Sequence, residues 1–274
     1  MPSGKKVLFV GNSYTYYGNA VNHKGYGILT QEERSGDQGW FYQLCKAKGM
    51  EVSVTNWNFA GHTFSDLFTR CEAGRSCNGV CHHEYLTDRS FDYVVLQEAG
   101  NIRSQTLSPE AFLQQVAHIT TLFKAANPQV KFLFLVHHRA HEKNFAWLSV
   151  LPELEKRGIT VVDWGKLVWN IINGLPVPGA TLPFDKNSFI VCQSEKDGFH
   201  PNLLTGYLTA LMTYCAITGE RATGQPYDFC GGFENYAARY YTWNGATTNF
   251  PAIFASEETM LALQRYIDEG VLCI

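Results

Sequence analysis

Five short strand-like runs recur along the chain, at residues 7–10, 51–58, 93–97, 131–137 and 160–163, separated by longer stretches in which apolar residues return at helical spacing. Segments such as VVLQ and FLFLV are continuously apolar rather than alternating, the mark of strands buried on both faces. Residues 39–48, 109–126 and 145–156 read as helices, with Ser108, Pro109 and Glu110 as a helix start and Gly49 and Gly158 as helix stops. Pro201 suits a first helical position, with Leu204, Tyr207, Leu208 and Leu211 as the buried stripe behind it, and residues 256–270 read as a final helix. The alternation predicts an α/β fold: a central parallel five-stranded sheet covered by helices on both faces.

Two segments break this repeat. Residues 16–37 form a polar insertion after the first strand, and residues 219–251 are rich in glycine, aromatic residues and asparagine without periodicity. Ligands of parallel sheets bind beyond the carboxyl ends of the strands, so long connections there are expected to wall a pocket. The expected organisation is one domain over residues 1–274, with an insertion at 16–37 and a pocket-walling segment at 219–274.

Composition narrows the function. With 45% hydrophobic and 17% charged residues among 274, the chain has the apolar surface of a folded protein. Lys plus Arg at 22 against Asp plus Glu at 25 leaves a net charge of −3, which offers no footprint for a polyanion, so nucleic acid is not an expected partner. No run approaches the roughly 18 apolar residues of a membrane span. Residues 1–6 lead straight into the first strand-like run, so a soluble cytoplasmic protein is expected, with a secreted or periplasmic one the alternative if a leader has been removed. Nothing in the pattern fixes an oligomeric state.

Of the eight cysteines, Cys45, Cys192 and Cys215 lie in apolar surroundings and read as small buried hydrophobes. Cys71, Cys77, Cys81, His82 and His83 form a denser group in which only the Cys77 to Cys81 gap fits a zinc-ligand spacing. A disulfide, a metal and free thiols on a surface loop all stay open.

Two motifs carry chemistry. The first run ends in Gly11-Asn12-Ser13-Tyr14-Thr15, which puts a small nucleophile at the carboxyl edge of a buried sheet. Asp197-Gly198-Phe199-His200 stands directly before Pro201, at a spacing that lets a carboxylate reach the imidazole. Alone, either is ordinary turn or capping chemistry. Together they supply what a serine hydroxyl needs to act at neutral pH: a base to take its proton and a partner to hold the base's tautomer. The flanks of Ser13 lack the Gly-x-Ser-x-Gly elbow of the α/β-hydrolases.

With its nucleophile block near the amino terminus and its D-x-x-H block near the carboxyl terminus, the chain resembles the SGNH/GDSL hydrolases over about residues 6–218. It is nearest to bacterial carbohydrate-esterase-like members whose first block reads G-N-S. The resemblance implies a three-layer flavodoxin-like fold and a triad of Ser13, Asp197 and His200. By position, the family's oxyanion hole maps to the backbone N–H of Ser13, Gly61 and the amide of Asn101. Gly61 also reads as an ordinary turn glycine and Asn101 as a polar cap of the strand end, since isoleucine rather than aspartate follows it. Gln97, four residues before Asn101, is a supporting or competing donor.

Further candidates for the pocket are His62, His137, His138 and Trp164. The His137-His138-x-x-His141 pattern invites a metal reading, but no further ligand converges on it in the sequence. Pocket lining and structural histidines remain the alternatives, as does a buried core indole for Trp164. The implied activity is hydrolysis of small acyl esters, acetyl groups on carbohydrate above all, through an acyl-enzyme and without a cofactor. The alternatives are a lipid or thioester acyl hydrolase of the same fold and a catalytically silent carbohydrate-binding protein.

Overall fold

Five strands, β1 (Lys5–Gly11), β2 (Val52–Asn58), β3 (Tyr93–Leu96), β4 (Lys131–Leu135) and β5 (Ile159–Val162), pair in parallel throughout, in the spatial order β2-β1-β3-β4-β5. The computed structural model describes residues 4–19, 39–69, 82–190, 198–228 and 256–270. Among these, the α-helices in chain order are α1 (Ser13–Tyr16), α2 (Trp40–Ala47), α3 (His83–Thr87), α4 (Ile102–Gln105), α5 (Pro109–Ala126), α6 (His138–Glu142), α7 (Leu151–Lys156), α8 (Trp164–Ile172), α9 (Leu203–Thr218) and α10 (Glu257–Gly270). None of the described helices is long and apolar enough to cross a membrane.

Strand alternation explains the three layers. In β1, Val7 and Phe9 face a cluster with Trp40 and Leu44 of α2, Leu167 of α8, Leu208 of α9 and Leu263 of α10. Leu8 and Val10 point the other way, into a second cluster with Phe112, Val116 and Ile119 of α5, Trp147 and Leu154. Each fully buried aliphatic or aromatic side chain contributes roughly 1.5–3 kcal/mol, which is why these runs are apolar on both faces.

The order of strands creates the crevice. From β1 the chain passes to β2 on one side and then crosses to β3 on the other, so the loops leaving β1 and β3 diverge at their carboxyl ends. Ser13 follows β1 and Asn101 follows β3 at that point.

The sheet and the helix over 109–126 follow the sequence pattern closely. Ser108 caps α5 by accepting from Ala111 N, and Gly49 and Gly158 end their helices at φ 68° and 76°. Four departures have physical causes. The helix expected over 145–156 divides into a 3₁₀ turn (Ala146–Val150) and α7, because Pro152 has no N–H and cannot continue the preceding turn. Strand β4 stops before His137, whose Nδ1 accepts from Ala140 N at 3.2 Å and caps α6. Helix α9 starts at Leu203 rather than Pro201: the Asn202 side chain accepts from Thr205 N at 3.1 Å, while Pro201 bridges Ile190. From Leu203 to Cys215 that helix is buried on every side instead of along one stripe. Helix α8, capped by Asp163, was not anticipated, although Trp164, Leu167, Val168 and Ile171 carry the spacing of a buried face.

Of the expected insertion, Tyr16 closes α1 and Tyr17–Asn19 form a 3₁₀ turn; residues 20–38 lie outside the described residues. Of the segment from 219, residues 222–224 dock on α10 through Asp268 and Gln264, and residues 229–255 lie outside the described residues. Cys45 and Cys215 are buried free thiols, whereas Cys71, Cys77, Cys81 and Cys192 lie outside the described residues.

One close approach fixes how the loop after β1 meets α9. Gly18, at φ 74°, lies against the backbone of Asn202 and Gly206; a Cβ on Gly206 would stand 1.8 Å from Gly18 O. Trp40 Nε1 donates to the same Gly18 oxygen at 2.8 Å. Gly206→Ala is therefore expected to destabilise the protein by on the order of 3 kcal/mol, although alanine favours helix elsewhere. Urea unfolding checks this, and a neutral or stabilising effect would show that the contact is not needed.

Candidate active site

The nucleophile turn is built by Asn12. Its Oδ1 accepts from Tyr14 N at 3.2 Å and caps α1, and its Nδ2 reaches His62 O at 3.4 Å and Gln97 O at 3.5 Å. A single side chain thus ties the loops after β1, β2 and β3. Ser13 becomes the first residue of α1, where its N–H has no intrahelical acceptor and none among the described residues.

The second part arrives from the far end of the chain. Pro201 and Asn202 are held by the segment before them: Asn202 N donates to Phe189 O at 2.9 Å, and Asn202 Nδ2 donates to Ser188 O at 2.8 Å. His200, just ahead of this anchor, places its Nε2 2.9 Å from Ser13 Oγ, across 187 positions of sequence. That is hydrogen-bond distance for a hydroxyl donating to an imidazole. Asp197 lies outside the described residues.

The imidazole is in contact with three aromatic rings to which the motif reading gave no role. Tyr17 stacks on it with centroids 4.0 Å apart, Phe199 lies at 4.3 Å and Tyr14 at 5.6 Å. Their signal was present in the sequence: Tyr14 and Phe199 stand inside the two blocks and Tyr17 just after the first.

The loops after β2 and β3 are stitched to each other. Gly61, at φ 66°, opens onto free space, and its carbonyl accepts from Asn101 Nδ2 at 3.0 Å. Asn101 Oδ1 caps α4 by accepting from Arg103 N and Ser104 N. The second Asn101 amide proton and the N–H groups of Ser13 and Gly61 have no acceptor among the described residues. Arg103 reaches back to Asp66 through two contacts of 2.9 and 2.7 Å. Burial pushes the Asp66 carboxyl up, but hydrogen bonds from Arg103 and Thr63 outweigh it and hold the group below its ordinary value.

Beneath these loops lies Glu98, buried and accepting from Ala99 N at 2.6 Å, Ser104 Oγ at 2.9 Å and Phe64 N at 3.2 Å. Desolvation outweighs those bonds and pushes its carboxyl up to about 7.

Several candidates take structural places instead. Gln97 is buried, with Oε1 accepting from Thr15 Oγ1 and Nε2 donating one proton to Glu98 O, so its amide supports the nucleophile turn. Trp164 is fully buried, a core indole and not a stacking platform. His137 is buried and stacks on Tyr14 at 4.5 Å, and His138 is buried between Tyr14 and Trp164; both underlie the site rather than line it. His141 turns to Asp163 at 2.8 Å, so the three histidines do not converge. His62 Nδ1 donates to Ala60 O at 2.7 Å, stiffening the Gly61 turn. No set of three metal-ligating side chains converges among the described residues.

Solved structures share this architecture. A DUF4886 family protein from Bacteroides uniformis superposes over 97% of this chain and 95% of that one, with a TM-score of 0.57 and 14% identity. Axe2, an acetylxylan esterase from Geobacillus stearothermophilus, superposes over 80% and 96%, with a TM-score of 0.54 and 16% identity. The fold is that of the SGNH-type esterases. LAE5, an alpha/beta hydrolase enzyme from the metagenome of Lake Arreo, Spain, is similar over 80% of this chain and 97% of that one, with a TM-score of 0.53 and 18% identity. No family model and no curated protein matches the chain. The likeness to SGNH-type esterases is thus one of backbone architecture, carried by few shared residues.

The buried histidines beneath the site set a pH dependence of stability. Desolvation lowers His137 to about 3 and His138 well below 6.5. Below pH 6.5 the unfolded chain takes up protons that these rings refuse in the folded state, so each removes up to about 1.4 kcal/mol of stability per pH unit as pH falls. Glu98 acts in the opposite sense: the folded state keeps a proton that the unfolded chain has lost, so its contribution is lost as pH rises from about 4.5 to about 7. Neither ring nitrogen of His138 has a hydrogen-bond partner among the described residues, so His138→Phe breaks none. Chemical unfolding at pH 4 to 6.5 should show a shallower acid loss in His138→Phe than in the wild type. Parallel slopes would mean that His138 is protonated in the folded state.

Proposed function

We propose that this chain is a serine esterase that hydrolyses small acyl esters, acetyl esters of carbohydrate in particular, through an acyl-enzyme. The observation that carries the reading is the 2.9 Å approach of His200 Nε2 to Ser13 Oγ at the carboxyl edge of an SGNH-type sheet. In this scheme Ser13 Oγ attacks the ester carbonyl carbon while Nε2 takes its proton. The carbonyl π bond opens, and the resulting oxyanion faces the Ser13 and Gly61 N–H groups and the uncommitted proton of Asn101 Nδ2, each such donor worth about 3–4 kcal/mol. Collapse expels the alcohol, which leaves with the proton from His200. Water, deprotonated by the same ring, then attacks the acyl-enzyme and releases the acid and free Ser13.

Asp197 is assigned, from its spacing to His200, as the carboxylate that holds the imidazole tautomer. The preference for an acetylated carbohydrate draws on the acetylxylan esterase among the structural neighbours. The reaction as written uses only these side chains and water.

Ser13→Ala should cut turnover of acetylated xylo-oligosaccharides by on the order of 10⁴ or more with the fold intact, and Asp197→Asn should fall by a comparable factor. Residual activity near wild type in Ser13→Ala would refute the assignment. In a series of 4-nitrophenyl esters from acetate to octanoate, kcat/KM is expected to fall as the acyl chain lengthens. A rise would replace the acetyl reading with that of a longer-chain acyl hydrolase.

A further inference from the structure

The Tyr17 ring lies nearly parallel to the His200 imidazole, with planes 12° apart and centroids 4.0 Å apart. Its place is tied to the nucleophile. Tyr17 N donates to Ser13 O at the end of α1, and the next residue, Gly18, is locked against Asn202 and Gly206. The backbone turn that presents Ser13 Oγ therefore also presents the Tyr17 face. Phe199, at 4.3 Å and 40°, and Tyr14, at 5.6 Å and 38°, also contact the imidazole.

The face of an aromatic ring carries negative potential, so it attracts a cation laid over it more than a neutral ring in the same place. In the reaction proposed above, the imidazole is neutral before attack and becomes imidazolium as it takes the Ser13 proton. A face-on stack is thus stronger in the transition state than in the ground state, which is the condition for an interaction to raise kcat. Such a contact does not touch the substrate, so KM is left nearly alone.

We propose that Tyr17 is a positioning residue that holds the face of His200 and stabilises the imidazolium formed when Ser13 is deprotonated. The proposal rests on the serine-esterase reading. It assigns the effect to the ring face and not to the phenolic hydroxyl.

The test uses 4-nitrophenyl acetate with the full chain and with Tyr17→Phe, Tyr17→Leu and Tyr17→Met. Loss of the aromatic face should lower kcat about tenfold with KM within about twofold, whereas Tyr17→Phe stays within about twofold of wild type in both. Either aliphatic variant suffices if the other does not fold. By NMR, the ring protons of His200 should be shifted upfield in the wild type and in Tyr17→Phe and should lose that shift in the aliphatic variants. Unchanged kcat in the aliphatic variants, or an equal loss in Tyr17→Phe, overturns the proposal, as does a His200 ring resonance indifferent to residue 17. Ser13→Ala in the same assay separates the two levels. Turnover persisting there removes the esterase reading and this proposal with it, whereas full loss there beside unchanged kcat in Tyr17→Leu removes the proposal alone.

Discussion

A hydroxyl near the amino terminus and an imidazole near the carboxyl terminus meet at 2.9 Å, and the described structure around them is organised to make that contact. Hydrogen bonds of this kind weaken steeply with misalignment, so the two loops must be held to fractions of an ångström. Neither is held by its own length of chain. The loop after β1 is fixed by Asn12 to the neighbouring strand ends, and the segment before α9 is fixed by Asn202 to residues 188 and 189. What joins the two halves is the backbone crossing of Gly18 and Gly206, where any side chain would force them apart. The two glycines lie five and six residues beyond Ser13 and His200, and their contact joins the two segments that carry those side chains.

Polar groups beneath the site follow from the same demand for rigidity. The side chains of Gln97, Glu98, His137 and His138 beneath the loops are all buried. Glu98 gathers donors from both loops, and Gln97 ties Thr15 to the end of β3. The cost is electrostatic: a carboxyl pushed toward neutrality and two histidines kept neutral. Stability is thereby pulled down from the acid side by the histidines and from the neutral side by the glutamate, a pattern expected where rigidity is favoured over stability.

The sheet was legible because strands buried on both faces must be apolar throughout, and VVLQ and FLFLV are. Ser13 and His200 were legible because their flanks, a turn after β1 and a Pro201 before a helix, announce where each side chain stands. Polar residues at strand ends were not. Gln97, His137 and Trp164 occupy positions that open onto a crevice in many parallel sheets, and sequence cannot tell a residue facing the crevice from one folded under it. Tyr17 and Phe199 escaped notice for a different reason. Aromatic residues are read by default as core, and only the coordinates reveal that these face a catalytic candidate. Gly61 and Asn101 were located by position alone; what the fold adds is the bond between them.

That bond decides how the Asn101 amide is oriented. Its Oδ1 accepts from two backbone N–H groups at the start of α4, and its Nδ2 donates to the Gly61 carbonyl. A flipped amide would set nitrogen against two donors and oxygen against an acceptor, losing three hydrogen bonds at once. One amide proton is committed to Gly61 and the other is left with a direction fixed by the plane of the group. Electrostatic catalysis depends on donors that need not reorganise when charge appears, and in the proposed esterase an amide locked at both ends would meet that requirement. The isoleucine after Asn101, where SGNH enzymes commonly place aspartate, leaves this lock intact, since it is made by the asparagine side chain and by backbone groups alone.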